Sequence, residues 1–397
     1  MINVAMIGCG GYAYELLKRL WMLPEKFNVV AVSSRSGTGT EGGRACSEKG
    51  IKIYSDIDQM LSDLQGKADA IFVPTPIHTH KDLATKCMDA GFDVLLEKPP
   101  VATIQDLNYL SDYAAKKGKN VAVLFQSLYT KIIKELKDRI VSGEFGKVLK
   151  VRGIAGWPRM DDYYSRSSWA GKLKAGEHWV LDGTINNPLA HMLSNELYLA
   201  SMEPGKMETP VSVTAELYHA HDIESEDTSS LRIITENGVE VTFNASLCSE
   251  NNLDPINMII CEKATIEYIN FNEAKITFND GKTDSIVDET EQRVYMMEML
   301  YDSMTNNKPF ACTLDTCKPF TTCVNAAFES TGKVKAIEKK YITRREQGDT
   351  IKTVINGIDK ALKVAYDGGK LFSELGLEWA ESSETMDVKN YSKYPSA

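Results

Sequence analysis

The chain has 397 residues, which is long enough for two domains with substantial cores. Its net charge is −10 and it contains no basic run, which argues against a nucleic acid as the main partner. No apolar run approaches the ~20 residues that a membrane-spanning helix needs. The first residues pass directly into a strand pattern and leave no room for a signal peptide, so we expect a cytoplasmic protein.

The cysteine and histidine patterns give no support for a metal site. The eight cysteines are scattered and form no Cys-x-x-Cys pair, which favours free thiols over disulfides or zinc. The six histidines show no His-Glu-x-x-His spacing. We therefore expect no bound metal.

The first predicted strand, 2–7, runs into a glycine-rich turn and then a helix with apolar residues on one face. A strand, a Gly-x-Gly-x-x-Ala turn and a helix in this order form the dinucleotide-binding fingerprint. The glycines permit a tight turn and close approach to a pyrophosphate, and the helix N-terminus attracts the phosphates. The predicted phosphate-binding residues are Gly8, Gly10, Gly11, Tyr12 and Ala13.

The second predicted strand, 28–33, ends in Ser34 and Arg35. An NAD site usually places an acidic residue here to bind the ribose 2′-hydroxyl, and none is present. Arginine and hydroxyl groups can accept the 2′-phosphate of NADP, which favours NADP slightly. Alternatively, Arg35 is solvated or stacks on the adenine, and the protein binds NAD.

Two further strands, 68–73 and 92–96, end in chemically distinctive residues. The first is followed by Thr75, Pro76 and His80, which predict a rigid loop over a cofactor crevice, although His80 is equally consistent with a structural role. The second is followed by Glu97-Lys98-Pro99-Pro100, and ligands of open α/β sheets bind at the carboxyl ends of strands. A predicted helix near 103–117 and a strand at 120–125, followed by Gln126, complete a doubly wound parallel sheet.

These motifs, in this order, resemble the glucose–fructose oxidoreductase / inositol dehydrogenase / MocA (Gfo/Idh/MocA) family. The resemblance covers the N-terminal half well and the remainder more loosely. It implies a Rossmann domain that binds NAD or NADP through residues including Thr75, Pro76, His80, Glu97 and Gln126. It also implies an α+β domain with a large, mostly antiparallel open sheet. The expected reaction is oxidation of a sugar or cyclitol hydroxyl, in a homodimer or homotetramer formed through that sheet.

The second half supports this architecture independently. It contains seven predicted strands between 148 and 278, and Asn237-Gly238 marks a hairpin between two of them. Predicted helices follow near 290–305, 319–339 and 349–366. We expect a cofactor domain at 1–126 and a substrate and oligomerisation domain at 127–397, with the 341–397 tail packing back on the first.

Two segments of the second domain are candidates for substrate contact. The stretch from Gly156 to Gly171 is rich in aromatic residues and arginines, which suit the faces and rims of sugar rings. A surface loop or a subunit contact would also explain it. The predicted contacts in this stretch are Arg159, Tyr164, Arg166 and Trp169.

The second segment is Asp182-Gly183-Thr184-Ile185-Asn186-Asn187, followed by His191. The family usually carries Asp-x-Gly-x-His here, with the His as general base and the Asp assisting it. In this chain Asp182 matches and Asn186 replaces the His, and an amide cannot accept a proton at neutral pH.

Three interpretations follow from the missing histidine. Lys98 is the base, assisted by Asp182; or His191 supplies the imidazole; or the protein binds a sugar without turning it over. Asn186 and Asn187 would then orient substrate hydroxyls. The leading interpretation is a dehydrogenase of a sugar, glycoside or cyclitol. A glycoside 3-oxidising enzyme of a redox-type cleavage route and a non-catalytic regulator are the alternatives.

Overall fold

The computed structural model describes residues 1–396, which form two compact units. In this part of the chain no helix is long and apolar enough to cross a membrane. All eight cysteines are buried and none is in a disulfide. The first unit comprises 1–101, 105–130 and 289–317, and the second comprises 102–104, 131–288 and the chain from Lys318 onward.

The strands lie in four sheets. In chain order they are β1 (Ile2–Ile7), β2 (Phe27–Ser33), β3 (Lys52–Tyr54), β4 (Ala70–Val73), β5 (Asp93–Leu96), β6 (Val121–Val123), β7 (Val148–Gly156), β8 (Lys174–Ala175), β9 (His178–Trp179), β10 (Pro210–His219), β11 (Thr228–Thr235), β12 (Glu240–Ser246), β13 (Leu253–Cys261), β14 (Ala264–Ile269), β15 (Glu273–Phe278), β16 (Thr283–Val287), β17 (Lys335–Ala336), β18 (Ile342–Gln347), β19 (Thr350–Ile355) and β20 (Met386–Asp387).

The α-helices are distributed over both units. They are α1 (Tyr12–Leu20), α2 (Glu41–Glu48), α3 (Ile57–Asp63), α4 (His80–Asp89), α5 (Ile104–Lys117), α6 (Lys131–Val141), α7 (Asp161–Ser165), α8 (Ala190–Ala200), α9 (Gln292–Thr305), α10 (Leu314–Thr331) and α11 (Ile358–Gly368).

The first unit is built on a parallel sheet in the order β3-β2-β1-β4-β5-β6. Its central strands read as continuous apolar runs because helices cover both faces of such a sheet. This confirms the predicted Rossmann-type fold. The motifs that follow β1, β4, β5 and β6 therefore share one edge of the sheet.

One segment of the first unit comes from far along the chain. Helix α9 packs on α1, and its Tyr301 ring meets Phe27 edge-on at 5.8 Å between centroids. Lys26 pairs with Glu298 at 2.5 Å between Nζ and Oε1. The expected division at residue 126 therefore leaves out 289–317, which belongs to the first unit.

The second unit is built on a mixed, mostly antiparallel sheet in the order β16-β15-β14-β13-β7-β12-β11-β10-β17. The pairs β7–β12 and β10–β17 are parallel, and the other neighbouring pairs along this order are antiparallel. The β11–β12 hairpin turns at Gly238, whose φ of 78° suits glycine. This confirms the predicted large open sheet.

The two faces of this sheet are covered by different helices. Helix α8 packs on one face, where Gly153 lies directly against the buried Glu196 carboxyl. Adjacent residues of a strand point to opposite faces, and Ile154 lies in a cluster with Ile358 and Leu362 of α11. Helix α11 therefore covers the second face of the sheet over β7 and β12. We call this face, which lies opposite α8, the outer face.

The C-terminal tail differs from the sequence-based expectation in form. It belongs to the second unit, as the division at 127–397 predicted, and α11 packs on β7 and β12. The predicted helix at 349–366 is strand β19 followed by α11, with Gly357 at φ 79° between them. The helix predicted at 319–339 is α10, which ends at Thr331 because Gly332 adopts a φ of 68°.

Candidate active site

The glycine turn after β1 has the geometry of a phosphate-binding loop. Gly8 and Gly11 have φ values of 104° and 55°, conformations that favour glycine. No side chain caps the N-terminus of α1, so its first N–H groups stay available to an anion. Nothing lies within 4 Å of a Cβ built on Gly11. These residues therefore fit the pyrophosphate of a dinucleotide.

Helix α2, which was not predicted from the sequence, packs against this turn. A Cβ built on Gly42 would lie 1.8 Å from the Cys9 carbonyl oxygen, so only glycine allows this close approach. Two adjacent glycines and few apolar residues give α2 a weak helical pattern, which explains why it was not predicted.

The end of β2 leaves the choice of dinucleotide open. Ser34 donates its backbone N–H to the Tyr54 carbonyl at 2.8 Å. The Arg35 side chain is exposed and forms no ion pair with another described residue. It is available to a phosphate or to an adenine ring.

The His80 ring is held by backbone carbonyl groups, which supports the structural role considered above, and cofactor binding by His80 stays a prediction. It is wholly buried. Its Nδ1 lies 3.0 Å from the Pro99 carbonyl oxygen and its Nε2 lies 2.7 Å from that of Thr75. Burial lowers the pKa of His80 to about 4. The ring thus links the 75–79 turn to the prolines that follow Lys98. Within this turn, the hydroxyl groups of Thr75 and Thr79 form a hydrogen bond of 2.7 Å.

Glu97 and Lys98 follow β5 at the same sheet edge as the glycine turn. Glu97 is 7% exposed, and its Oε2 is buried without a hydrogen-bond partner among the described residues. Burial raises the pKa of Glu97 to about 7, against the opposing charges of Lys98 and Arg293. A buried oxygen of this kind fits a hydrogen-bond donor on a bound ligand, such as a ribose hydroxyl.

Arg293 of α9 extends this part of the site. The Tyr12 hydroxyl accepts the Arg293 Nε–H at 3.4 Å and donates to Gln126 Oε1 at 3.4 Å. Burial and the Glu97 charge raise the pKa of Tyr12. Sequence reasoning missed Arg293 because it lies nearly 200 residues beyond Glu97 and matches no motif.

In the second unit, Asp182 is the centre of a hydrogen-bond network. Its carboxylate is almost wholly buried, and Oδ2 accepts from Arg166 Nη2 at 3.0 Å and from the Gly171 N–H at 2.7 Å. Oδ1 accepts from Asn187 Nδ2 at 2.6 Å. Both oxygens are therefore used to hold neighbouring groups, and the network brings Asp182, Arg166 and Asn187 together.

The two other candidate residues of this segment, Asn186 and His191, differ in their burial and in their neighbours. Asn186 is buried and donates its amide to the Val180 carbonyl at 3.1 Å. Its amide is thus held inside the protein, and the orientation of substrate hydroxyls by Asn186 stays a prediction. His191 lies at the start of α8, is partly exposed, and meets the Phe271 ring at 6.1 Å between centroids. It stays a candidate imidazole.

An alternating row of aromatic rings and guanidinium groups precedes Asp182. The Arg159 guanidinium carbon lies 5.5 and 5.3 Å from the Trp157 and Tyr163 ring centroids, and that of Arg166 lies 3.8 and 5.1 Å from the Tyr163 and Trp169 centroids. Arg166 also pairs with Asp182, whereas Arg159 forms no ion pair with a described residue. We call these five residues the aromatic–arginine row.

Tyr164 lies outside this row, and its role in substrate contact stays a prediction. Its hydroxyl is buried without a described hydrogen-bond partner, and its ring packs on His221 at 4.7 Å. Burial and the nearby Asp227 raise the pKa of Tyr164 well above its usual value. The tyrosine therefore packs the segment onto the loop between β10 and β11.

A buried cluster of potential metal ligands joins His221 and Asp227, which precede β11, to Cys248, which follows β12. Asp227 Oδ2 already accepts the His221 Nδ1–H and the N–H groups of Ala220 and His221, each at 2.9 Å. Burial would raise the pKa of Asp227, but the His221 hydrogen bond and charge hold it below the usual range. The cluster has the geometry of an ion-paired turn, because the carboxylate oxygen is saturated by hydrogen-bond donors.

Comparison with known proteins places both parts of the chain in one family. Residues 2–125 match the oxidoreductase family with an NAD-binding Rossmann fold, and residues 133–267 match the Gfo/Idh/MocA C-terminal domain. An uncharacterized oxidoreductase of Schizosaccharomyces pombe is 26% identical over 66% of this chain and 69% of its own length.

Two relatives that match a smaller part of the chain are named for an enzymatic activity. An inositol 2-dehydrogenase of Saccharopolyspora erythraea is 27% identical over 40% of this chain and 47% of its own, and a D-glucoside 3-dehydrogenase of Escherichia coli is 26% identical over 39% and 46%. The chain thus spans about half the length of these relatives. The WlbA dehydrogenase of Bordetella pertussis, solved with NADH and UDP-GlcNAcA, shares the fold with a TM-score of 0.69 at 20% identity, over 83% of this chain and 96% of its own. With both domains matched, the chain belongs to the Gfo/Idh/MocA family of oxidoreductases.

Proposed function

We propose that the chain is an NAD(P)-dependent dehydrogenase that oxidises a secondary hydroxyl of a sugar, glycoside or cyclitol, or reduces the corresponding ketone. The observation that carries the proposal is the position of Lys98. It follows β5, two strands from β1 in the parallel sheet, at the edge where the glycine turn fits a dinucleotide.

When bound, the nicotinamide supplies a hydride acceptor at C4. Lys98 acts as the base: after releasing its own proton, its Nζ accepts the proton of the reacting hydroxyl and later passes it to solvent. Glu97 offers its unpartnered Oε2 to a ligand donor. Asp182 acts by holding Arg166 and Asn187 in place, because both of its oxygens are occupied.

The substrate class is supported by the aromatic–arginine row. Partly exposed aromatic rings contact the C–H faces of sugars, and guanidinium groups donate to their hydroxyls. Similarity to an inositol 2-dehydrogenase and a D-glucoside 3-dehydrogenase supports a cyclic polyol. Oxidation of a glycoside at its 3-hydroxyl is the second candidate, favoured by the length of this row.

The finer choices of cofactor and assembly are also proposals. The exposed Arg35 supports NADP slightly over NAD.

A homodimer or homotetramer would use the outer sheet face that α11 leaves uncovered, over β14 to β16. Size-exclusion chromatography with light scattering tests this, and a monomer at micromolar concentration would contradict it.

The test of function measures reduced-nicotinamide absorbance with NAD or NADP and a panel of sugars, glycosides and cyclitols. We expect turnover by the wild type and a loss of roughly 100-fold or more in kcat for Lys98→Ala, with NADH affinity retained. Lys86→Ala is the matched control, because Lys86 is a surface lysine of the same unit, paired with Asp58.

Two outcomes would contradict the enzyme proposal or its assignment of Lys98. Saturable sugar binding without hydride transfer to either cofactor would indicate a regulator instead of an enzyme. Full activity of Lys98→Ala, together with an inactive His191→Ala, would move the proton chemistry to His191.

A further inference from the structure

Arg293 lies in the first turn of α9 and reaches the first residue of α1. Its Nε donates to the Tyr12 hydroxyl at 3.4 Å, and its guanidinium carbon lies 5.8 Å from the centroid of the Tyr12 ring. The same hydroxyl donates to Gln126 Oε1 at 3.4 Å. Arg293 is therefore tied to the helix that follows the glycine turn and, through Tyr12, to the segment that follows β6.

The stability of α9 does not explain a cation at this position. The N-terminus of a helix carries a partial positive charge, so a cation in the first turn is unfavourable. Glu291 offsets part of this effect, because its Oε1 lies 3.5 Å from Arg293 Nη1. The same Oε1 also lies 3.5 Å from Arg19 Nε, so two guanidinium groups share one carboxylate oxygen. Part of the Arg293 charge thus stays uncompensated.

The Arg293 guanidinium also has donors left for a ligand. The side chain is 31% exposed, and its Nη2 donates to no residue that the structure describes. Burial lowers the pKa of Arg293, but the contacts with Tyr12 and the charges of Glu291 and Glu97 together hold it above its usual value. The group is therefore a permanent cation with unused N–H donors.

Glu97 supplies a complementary acceptor at the same edge of the sheet. Its Oε2 is buried without a hydrogen-bond partner among the described residues. The Arg293 charge acts on this carboxyl, because it opposes the burial that raises the Glu97 pKa to about 7. No ion pair joins the two side chains in the described part of the chain. An unused acceptor and an unused guanidinium donor near each other match a hydroxyl and a phosphate of one ligand.

We propose that Arg293 binds the phosphate on the nicotinamide side of the dinucleotide, while Glu97 accepts a hydroxyl of the adjoining ribose. Glu97 directly precedes Lys98, the proposed base, which assigns these contacts to the nicotinamide half. The glycine turn offers only backbone N–H groups and a helix N-terminus, and the guanidinium adds a full charge in a forked geometry. The identity of the ligand rests on the proposed function.

The test measures the binding of NADH and of AMP, its adenosine half, to Arg293→Met by titration calorimetry. Methionine keeps an apolar stem and removes the guanidinium. Because AMP lacks the nicotinamide-side phosphate, we expect the NADH affinity to fall roughly tenfold or more and the AMP affinity to stay unchanged. Unchanged NADH affinity, or an equal loss for AMP, would overturn the proposal.

ADP-ribose separates the phosphate from the nicotinamide ring, because it carries both phosphates of NADH and no nicotinamide. We expect Arg293→Met to weaken ADP-ribose and NADH by the same factor. A variant that binds ADP-ribose as tightly as wild type does and NADH more weakly would move the contact to the nicotinamide ring and contradict the proposal.

Arg19→Met is the matched control. Arg19 shares Glu291 with Arg293, but it lies in the last turn of α1, where it also pairs with Glu15 at 2.6 Å. We expect Arg19→Met to bind NADH with wild-type affinity. A loss equal to that of Arg293→Met would show that the effect comes from the packing of α9 on α1, which would overturn the proposal.

Arg293→Lys provides a second variant if Arg293→Met does not fold. Lysine keeps the charge without the fork, so we expect it to lose NADH affinity, but less than Arg293→Met does. Wild-type affinity in Arg293→Lys would contradict a forked phosphate contact. These measurements need no turnover. NADH binding by the wild type without hydride transfer would therefore refute the proposed function alone, whereas unchanged NADH affinity in the Arg293 variants would overturn this inference alone.

Discussion

The pair formed by Arg166 and Asp182 gives the sharpest test of the second-unit network. Replacing Arg166 by Leu removes the cation that lies 3.0 Å from Asp182 Oδ2. The Asp182 side chain is 2% exposed and that of Arg166 is 28% exposed, so the carboxylate would stay buried without its counter-ion. We expect Arg166→Leu to destabilise the second unit more than any other arginine substitution in this segment.

The magnitude follows from what remains around Asp182. A hydrogen bond to a charged group contributes about 1.5–3 kcal/mol, and removing one partner of a fully buried pair costs about 3–5 kcal/mol. Asp182 keeps its bonds from Gly171 and Asn187, and Arg166 is partly solvated. We therefore expect a loss of about 2–3 kcal/mol, or a drop of roughly 4–10 °C in Tm for a unit of this size.

The assay is thermal unfolding followed by tryptophan fluorescence, with Arg159→Leu as matched control. Arg159 lies in the same aromatic–arginine row but has no ion pair with a described residue. Its two ring contacts are worth about 0.5–1 kcal/mol at a partly exposed site. Equal drops in Tm for the two variants would refute the reasoning, because the ion pair would then contribute nothing.

Three further predictions concern other parts of the chain. Gly42→Ala would place a Cβ 1.8 Å from the Cys9 carbonyl oxygen, so it should distort the glycine turn. We expect NADH binding, measured by fluorescence titration, to weaken about tenfold or more. Gly39→Ala is the control and should leave binding unchanged, because its Cβ would lie 3.9 Å from the nearest atom. Arg35→Asp should lower the preference for NADP relative to NAD by about tenfold in kcat/KM, and an unchanged ratio would exclude Arg35 from 2′-phosphate binding. Burial raises the pKa of Glu196 well above its usual value, so the folded protein binds this proton more tightly than the unfolded chain and loses stability as pH rises beyond about 4.3. Glu196→Gln should therefore gain stability relative to wild type between pH 5 and 8 in urea unfolding, and a constant difference would contradict the assignment.

The Rossmann sheet and its ligand-binding edge were predictable because their signals are local. A parallel strand buried on both faces reads as an apolar run, and the glycine turn after β1 requires residue types that the sequence displays directly. The structure reproduces the predicted strand Ile2–Ile7 and places Lys98 at the predicted strand end. The hairpin at Gly238 was predictable for the same reason.

The partners of the site residues were not predictable, because a sequence pattern does not show which backbone carbonyl a side chain will meet. His80 matches a cofactor-loop motif, but its burial depends on carbonyl groups at 75, 99 and 100. Asn186 occupies the position of the family histidine, but the Val180 carbonyl turns its amide inward.

The sequence by itself determined the family and the fold class, because these depend on local patterns and on motif order. Only the tertiary structure decided what each group can do. It showed Asp182 with both oxygens occupied and Arg293 brought to Tyr12. The hydrogen bonds of a side chain depend on neighbours that lie 5 to 281 residues away in these pairs, and the sequence does not record which of them meet.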